Sequence, residues 1–576
     1  VEGRYSMAYF LKKSMFKKGL YLQIYESFYD PERNQTAHHC YRTLGYLDKL
    51  KTSDIEDPID YYQREVDKLN LALKEKKLTN KVRLISDISP ERYLGYFLLK
   101  NLNDGLKIKN DINLFKLTYD FQFDIYKLLS SLVYSRVVQP CSKLKTYNDV
   151  FPKLFEESDF SLDQIYSGLN FMGIEYEKLI EIYNYHLNKK YPFNTTHTYF
   201  DCTNFFFEID KEDDFRKNGP GKENRNSPIV GLGLLLDANQ IPIGMKMFPG
   251  NESEKPIIRE VIDGLKSRNN ITGRTIQVAD KGLNCAKNIF HAKKSGDGYI
   301  FSKSVKMLPE TEKVWIFLDN DYIDVKDEKG IVKYRYKECV DQFPYTFVED
   351  NGKKTTVKLT EKRVVTFNHQ LAKKKIREIN KMVQKAALLN SYRAKKSEYG
   401  DCGKYVTFNS TDDKGKITDD KVRVTLNQSA IDEDLKLAGY NLLITSESKM
   451  SALEIYQAYH NLWRIEESFR IMKSQLDARP VFLQNEDTII GHFFICYIAV
   501  LLIRLLQFKV LNNKYSSEDI ISFIKEFKVV KTSDYKYLNM TKKSDFITAM
   551  SSMTRLPINS YYLSDSQIKT MLDFKL

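Results

Sequence analysis

Three acidic residues stand out by their settings: Asp201 among apolar neighbours, Asp280 at a strand end before a Gly-containing turn, and Glu466 on a long helix. Asp201 lies in Tyr199-Phe-Asp-Cys-Thr203, Asp280 in Gln277-Val-Ala-Asp-Lys-Gly-Leu283, and Glu466 in Leu462-Trp-Arg-Ile-Glu-Glu-Ser-Phe469. A charge among apolar side chains is costly unless it is paired or ligates something. Three carboxylates can hold two divalent ions about 3.5–4 Å apart, the arrangement that activates a nucleophile and neutralises a leaving oxygen in phosphodiester cleavage. Mg²⁺ favours oxygen ligands in octahedral geometry, so two Mg²⁺ per site are expected, with Mn²⁺ able to substitute. Each acid also has a plainer reading: Asp201 as a strand-edge acid facing solvent, Asp280 as a helix N-cap, Glu466 as a surface Glu.

The elements around them must bring them together. Thr198–Ile209 reads as an aromatic strand, and Pro228–Leu236 with Ile241–Phe248 as a hairpin. Glu254–Lys266 is amphipathic, Thr275–Ala279 is a short strand ending at Asp280, Asn284–Lys294 is helical and Gly298–Phe301 a strand. That order, β-β-β-α-β-α-β, is the order of the RNase H fold without its final helix. In that fold strands one and four run parallel side by side, which places Asp201 near Asp280. The missing helix is expected at Ser451 to about Leu476, and residues 303–445 read as a β-rich insertion. Strands are expected at Lys313–Phe317, Tyr322–Val325, Lys362–Phe367, Lys404–Phe408 and Leu442–Thr445, with one basic helix, Leu371–Lys396. The fold class is thus α/β: an RNase H-like catalytic domain (a mixed five-stranded sheet with flanking helices) interrupted by a β-rich insertion, between mainly helical N- and C-terminal regions.

With Glu466 at zero on a regular helix, Tyr459 and Lys473 fall within about 20° of it, Arg470 at about 40° and Trp463 at about 60°. Leu462, Ile465, Phe469, Met472 and Leu476 fill an adjacent flank. A carboxylate among cations and aromatics suits metal-bound phosphate; a solvated face with Glu–Arg pairs at i,i+4 gives the same pattern.

Composition agrees. The chain has 576 residues and a formal net charge of +13, which favours polyanionic partners, and its 42% hydrophobic content excludes global disorder. Seven cysteines are scattered without a C-x-x-C pair, so neither a zinc site nor a disulfide framework is indicated and a reducing cytoplasm fits. Val1-Glu2-Gly3-Arg4 resembles a protease-site remnant, and no signal peptide is expected. The apolar run Ile489–Phe508 approaches membrane-spanning length, but His492 and Arg504 within it favour a buried core helix, and no membrane is expected as a partner.

At these residues the chain resembles bacterial insertion-sequence DDE transposases, the group with a Y-(2)-R-(3)-E-(6)-K signature. Tyr459, Glu466 and Lys473 match at the right spacings, and Trp463, Ile465, Phe469 and Arg479-Pro480 also look like this group. The signature Arg is absent: Leu462 stands there, Arg464 falls on the opposite helix face, and Arg470 is better placed to replace it. Asp201 and Asp280 match the family's first two catalytic aspartates, and the long gap from 280 to 466 fits its insertion domain. The resemblance implies a metal-dependent cut-and-paste enzyme, with Asp201, Asp280 and Glu466 as catalytic metal ligands. Its double-stranded DNA partners are transposon terminal inverted repeats and target DNA, and a homodimer forms on DNA. Some relatives pass through a DNA hairpin whose flipped base stacks on an insertion-domain Trp; Trp315 is the candidate here, and a buried sheet Trp is the equal alternative.

Further DNA contacts are expected from Tyr459, Trp463, Arg464, Arg470 and Lys473, and from Lys373, Lys374, Lys375, Arg377 and Lys381 on the basic helix. The expected segments are a small β unit (1–60), a helical DNA-binding region (61–192), the first part of the core (193–302), the insertion (303–447), the last part of the core with the Glu466 helix (448–510) and a helical tail (511–576). Two alternatives remain open: an RNase H-like nuclease without strand transfer, and a catalytically idle DNA-binding relative.

Overall fold

A computed structural model describes residues 6–30, 35–52, 55–79, 90–156, 159–219, 227–268, 273–349, 351–391, 396–409, 423–533 and 535–576. The chain divides into two compact units, Val1–Ser89 and Pro90–Leu576.

The first unit is a three-stranded antiparallel sheet of β1 (Ser6–Phe16), β2 (Gly19–Asp30) and β3 (Gln35–Tyr46). Lys12-Lys13 interrupts the alternation along β1. The helix Pro58–Thr79 packs on β1. Its start is fixed by the Asp57 carboxylate, which accepts from the backbone N–H of Ile59 and Asp60. The boundary expected near residue 60 therefore falls inside a helix of this unit.

The second unit opens with β4 (Glu91–Tyr93) and a set of helices that include Ile125–Val138, which stops ahead of Pro140, and Leu162–Ile174. Then come β5 (His197–Phe206), β6 (Ile229–Leu236), β7 (Pro242–Pro249), the helix Glu254–Arg268, β8 (Ile276–Ala279), the helix Ala286–Lys294 and β9 (Gly298–Lys303). The element order read from the sequence is present. Beyond β9 follow β10 (Ile323–Lys326), β11 (Val332–Val348), β12 (Lys354–Phe367), a ribbon of β13 (Val406–Asn409) and β14 (Arg423–Leu426), and β15 (Tyr440–Thr445).

The central sheet has nine strands, not five, in the order β10-β11-β12-β15-β9-β8-β5-β6-β7. Only β5–β8 and β8–β9 are parallel. The insertion does not form a separate β layer: β15 pairs antiparallel with β9, and β12, β11 and β10 continue outward. The free backbone groups of β9, an edge in a five-stranded sheet, are thereby satisfied.

Trp315 is not on a strand; it lies on the helix Glu310–Phe317, whose first turn carries Glu310 and Glu312. Acids there favour the helix N-terminus and outweigh the strand-like Val-Trp-Ile-Phe run. The strand expected at Lys404–Phe408 is present as β13, starting two residues later at Val406, after a 3-10 stretch over Lys396–Tyr405. The basic helix spans His369–Ser391, and 392–395 lie outside the described residues. The tail is not wholly helical: β16 (Lys528–Ser533), β17 (Lys536–Asn539) and β18 (Tyr562–Ser564) join β4 in a four-stranded sheet, from segments too short to show a period.

The apolar helix Glu486–Leu505 is buried from Ile489 onward, including His492 and Arg504, and runs through the core against Leu162–Ile174 and Ile125–Val138. Gly173 and Gly491 permit the closest approach: a Cβ at either one collides with backbone oxygen of the opposing helix.

Candidate functional site

Asp201 and Asp280 come together through β5 and β8. The last pair in this parallel ladder is Phe200 with Ala279, so the two aspartates occupy the next positions on neighbouring strands. Both are half-buried. The Asp201 Oδ1 accepts from the Cys202 N–H at 2.8 Å. After Asp280 the chain turns, and the Leu283 N–H returns to the Asp280 carbonyl.

Tyr459 joins them from the helix Ala452–His460, which packs on β8 and β9. Its hydroxyl donates to Asp280 Oδ1 at 2.9 Å. Burial first, then the negative charge of Asp280 and more weakly that of Asp201, hold the phenol proton far above its ordinary range; a hydrogen bond with Ser302 opposes them. Ser302, at the end of β9, is thus a polar neighbour of the pair that no motif or spacing marked. Asn284 steadies that strand end by donating to the Ser302 carbonyl at 2.8 Å.

Glu466 arrives by a different route. The expected single helix is three pieces: Ala452–His460, Trp463–Arg470 and a π-turn, Ile471–Gln475. Between the first two the backbone remains right-handed but tightens to i→i−3 bonds, from Leu462, Arg464 and Ile465. Its start is set by a capping box between Ser451 and Glu454. The piece Trp463–Arg470 packs on β5 with Ile465 and Phe469 buried, leaving Glu466 exposed. Among the described residues, no group of three or more His, Cys, Asp and Glu side chains is close enough to hold an ion. The donors therefore fit a hard divalent cation in kind, all being carboxylate oxygens, but the structure gathers Asp201 and Asp280 without Glu466.

The next residue, Glu467, is buried and anchors this helix. It accepts from Ser517 Oγ at 2.9 Å, and Arg464 and Arg504 each approach it at 3.2 Å. Burial pushes its pKa up, but Arg504, Ser517 and Arg464 together hold it below the usual value. The fully buried Arg504, pushed down to about 10 by desolvation, also reaches Ser468 Oγ and the Arg464 carbonyl. This network explains the cation inside the apolar run.

The remaining candidates divide. Leu462, at the signature Arg position, packs in the core. Arg464 is engaged by Glu467 and lies over the Trp463 ring at 3.8 Å. Trp463 and Arg470 are exposed. Lys473 is half-buried, with its Nζ 5.2 Å from the Phe205 ring on β5. Trp315 is half-buried against the second core cluster, and Lys337 sits 5.1 Å from its ring. Lys373, Lys374, Lys375, Arg377 and Lys381 are exposed on the helix His369–Ser391, while Ala372, Ile379 and Ala386 turn inward; Lys375 pairs with Glu378 at 3.2 Å.

A second buried cluster, also missed from the sequence, grips the chain just past the π-turn. Arg136 donates to the carbonyls of Leu476 and Asp477, His492 Nε2 sits 2.9 Å from the Ala478 carbonyl, and Lys143 Nζ lies 3.1 Å from His492 Nδ1.

A family model described as the transposase DDE domain matches residues 201–502, starting at Asp201 and taking in Asp280, Tyr459 and Glu466. No curated protein matches the chain.

Proposed function

This chain belongs to the transposase DDE family, and from that premise we propose that it is a cut-and-paste DNA transposase. In this reading it cleaves the ends of its element and joins the freed 3′-OH to target DNA, acting as a dimer on DNA. The observation that carries the reading is the meeting of Asp201 and Asp280 at adjacent parallel strand positions, with Tyr459 hydrogen-bonded to Asp280. The contiguous order β7-β6-β5-β8-β9, with the helices Glu254–Arg268 and Ala286–Lys294, supports an RNase H-like core.

Asp201 and Asp280 are the residues to hold divalent metal, Mg²⁺ for preference, with Glu466 as third ligand. When bound, such ions supply Lewis acidity at the scissile phosphate. The protein's own share is positional. Tyr459, kept protonated, fixes the rotamer of the Asp280 carboxylate. Glu467 and Arg504 fix the roll of the helix that carries Glu466. In this reading the exposed Arg470 and Trp463, on the same short helix, take DNA phosphate and base contacts. The cations of the helix His369–Ser391 add sequence-independent affinity.

A second reading, a catalytically idle DNA-binding relative, is favoured by one observation: Glu466 stands outside any three-ligand group among the described residues. One assay separates the readings. A duplex carrying the inverted repeats that flank the coding sequence is supplied, intact and pre-cut, with plasmid target and Mg²⁺ or Mn²⁺. Joined products that vanish in Asp201→Asn support the transposase. Nicking without joining supports a nuclease, and bound but unaltered DNA supports the idle relative.

A further inference from the structure

We propose that the outer face of the β1–β2–β3 sheet is a docking surface for duplex DNA; this rests on the transposase reading and names where the element's ends are held. The sheet has two unlike faces. Leu22, Ile24 and Phe28 of β2 are buried, as is Val66 of the covering helix. On the inner face Glu26 pairs with His39, and Glu65 of the helix with Arg42 of β3, while the exposed Asp48 carboxylate lies beside Gly19 at the end of the β1–β2 turn.

On the opposite face a ladder of rings crosses all three strands. Phe10 contacts Tyr25 and His38, and Tyr21 contacts Phe16 and Tyr46. Lys12 Nζ lies over the Tyr25 ring at 4.3 Å. Phe10 and Phe16 are 37% and 53% exposed, a large aromatic exposure for a face that no element among the described residues of its own unit covers. By the strand register, no described position on this face carries a carboxylate. At its end the β1–β2 turn adds exposed Lys17 and Lys18, and from Ser6 to Tyr25 the chain has four lysines and no acid.

The occupant follows from charge and shape. A cationic face without acids is complementary to a polyanion. Three of the ring pairs are edge-on, with interplanar angles of 85°, 85° and 76°, so they do not offer the parallel platforms on which single-stranded bases stack. Eleven residues of β1 extend about 36 Å, close to one turn of duplex, about 34–36 Å. Lys12, Lys17 and Lys18 then meet backbone phosphates while the rings meet sugars and groove edges.

The test uses the full chain and a labelled duplex of the flanking inverted repeat, with its single strand as comparison. In Lys12→Gln/Lys17→Gln/Lys18→Gln, duplex affinity at about 100 mM salt should fall at least about tenfold, and the log–log salt slope by about 2.7, roughly 0.9 per lost phosphate contact. Lys68→Gln/Lys74→Gln, on the helix, should change neither by more than about twofold. Bromouracil-substituted duplex should cross-link to Phe16 or Tyr21. Unchanged affinity in the triple variant, equal losses in the two variants, or tighter binding of the single strand would overturn the proposal. Failure of the transposase reading shows differently, as no joining of pre-cut ends even at protein concentrations that saturate the duplex.

Discussion

Tyr459 and Asp280, 179 residues apart, are joined by a hydrogen bond of 2.9 Å that ties the helix before Glu466 to the end of β8. The phenol's raised pKa keeps it a donor across the working pH range. Tyr459→Phe removes that donor and little volume. Groups that orient metal ligands typically change metal affinity or activity 10–100-fold when lost. Cleavage rates measured across a Mg²⁺ titration should therefore show the half-saturating concentration moving up by about that factor. A Phe variant with an unchanged titration would leave Tyr459 as a packing residue.

The three carboxylates should be indispensable to chemistry and dispensable to binding. Asp201→Asn, Asp280→Asn and Glu466→Gln are each expected to lower cleavage by about 10³-fold or more, since metal-assisted charge stabilisation supplies several kcal/mol and each 1.36 kcal/mol is tenfold. Duplex affinity measured without metal should stay within about threefold. Glu466→Gln is the decisive member, because Glu466 is exposed and outside the Asp201–Asp280 pair. If it cleaves normally, the third ligand lies elsewhere or is not used.

What the sequence disclosed was local or short-period. Asp201 and Asp280 could be paired because Asp201 sits among apolar residues within one strand, Asp280 ends another, and the β-β-β-α-β-α-β order implies which strands lie side by side. The helix start expected at Ser451 is present, fixed by the capping box between Ser451 and Glu454. What was hidden depends on distant partners. Nothing in β9 or β15 alone says that they pair, yet that pairing extends the sheet from five strands to nine. A wheel drawn at 100° per residue cannot foresee the tightening at Asn461–Leu462 or the π-turn, so the angular positions of Tyr459 and Lys473 relative to Glu466 are only approximate. Trp315 was read as sheet because Val314 to Phe317 is β-prone, while the acids ahead of it decided for helix.

The neighbours Glu466 and Glu467 should behave as opposites. Glu467 is buried with Arg464, Arg504 and Ser517, so Glu467→Ala strands a buried Arg504. Removing one partner of a buried ion pair costs about 3–5 kcal/mol. Glu466→Gln on the exposed face should stay within about 0.5 kcal/mol of the parent. Urea unfolding of the two variants measures the contrast directly. Similar midpoints would mean that the helix Trp463–Arg470 is held by its apolar flank alone.

The cluster behind the π-turn gives the fold a pH dependence of definite sign. Burial, then the charge of Arg136, push Lys143 down to about 7 from 10.5. Burial and the charges of Lys143 and Arg136 also hold His492 well below its ordinary value. Between pH 7 and 10.5 the unfolded chain keeps the Lys143 proton and the folded chain has released it. Stability rises with pH wherever the unfolded state binds more protons, so this group makes the fold steadily firmer from pH 7 upward, at no more than about 1.4 kcal/mol per pH unit for one proton. His492 acts in the same sense only below its ordinary value of 6.5. Burial holds the Cys339 and Cys496 thiols above their ordinary value of 9.0, which opposes the rise near pH 9. Lys143 is therefore isolated by comparing unfolding midpoints at pH 7, 8 and 9 between the parent chain and Lys143→Met, which should flatten the rise. The same slope in both proteins would mean that Lys143 reaches solvent and carries its charge in the folded state.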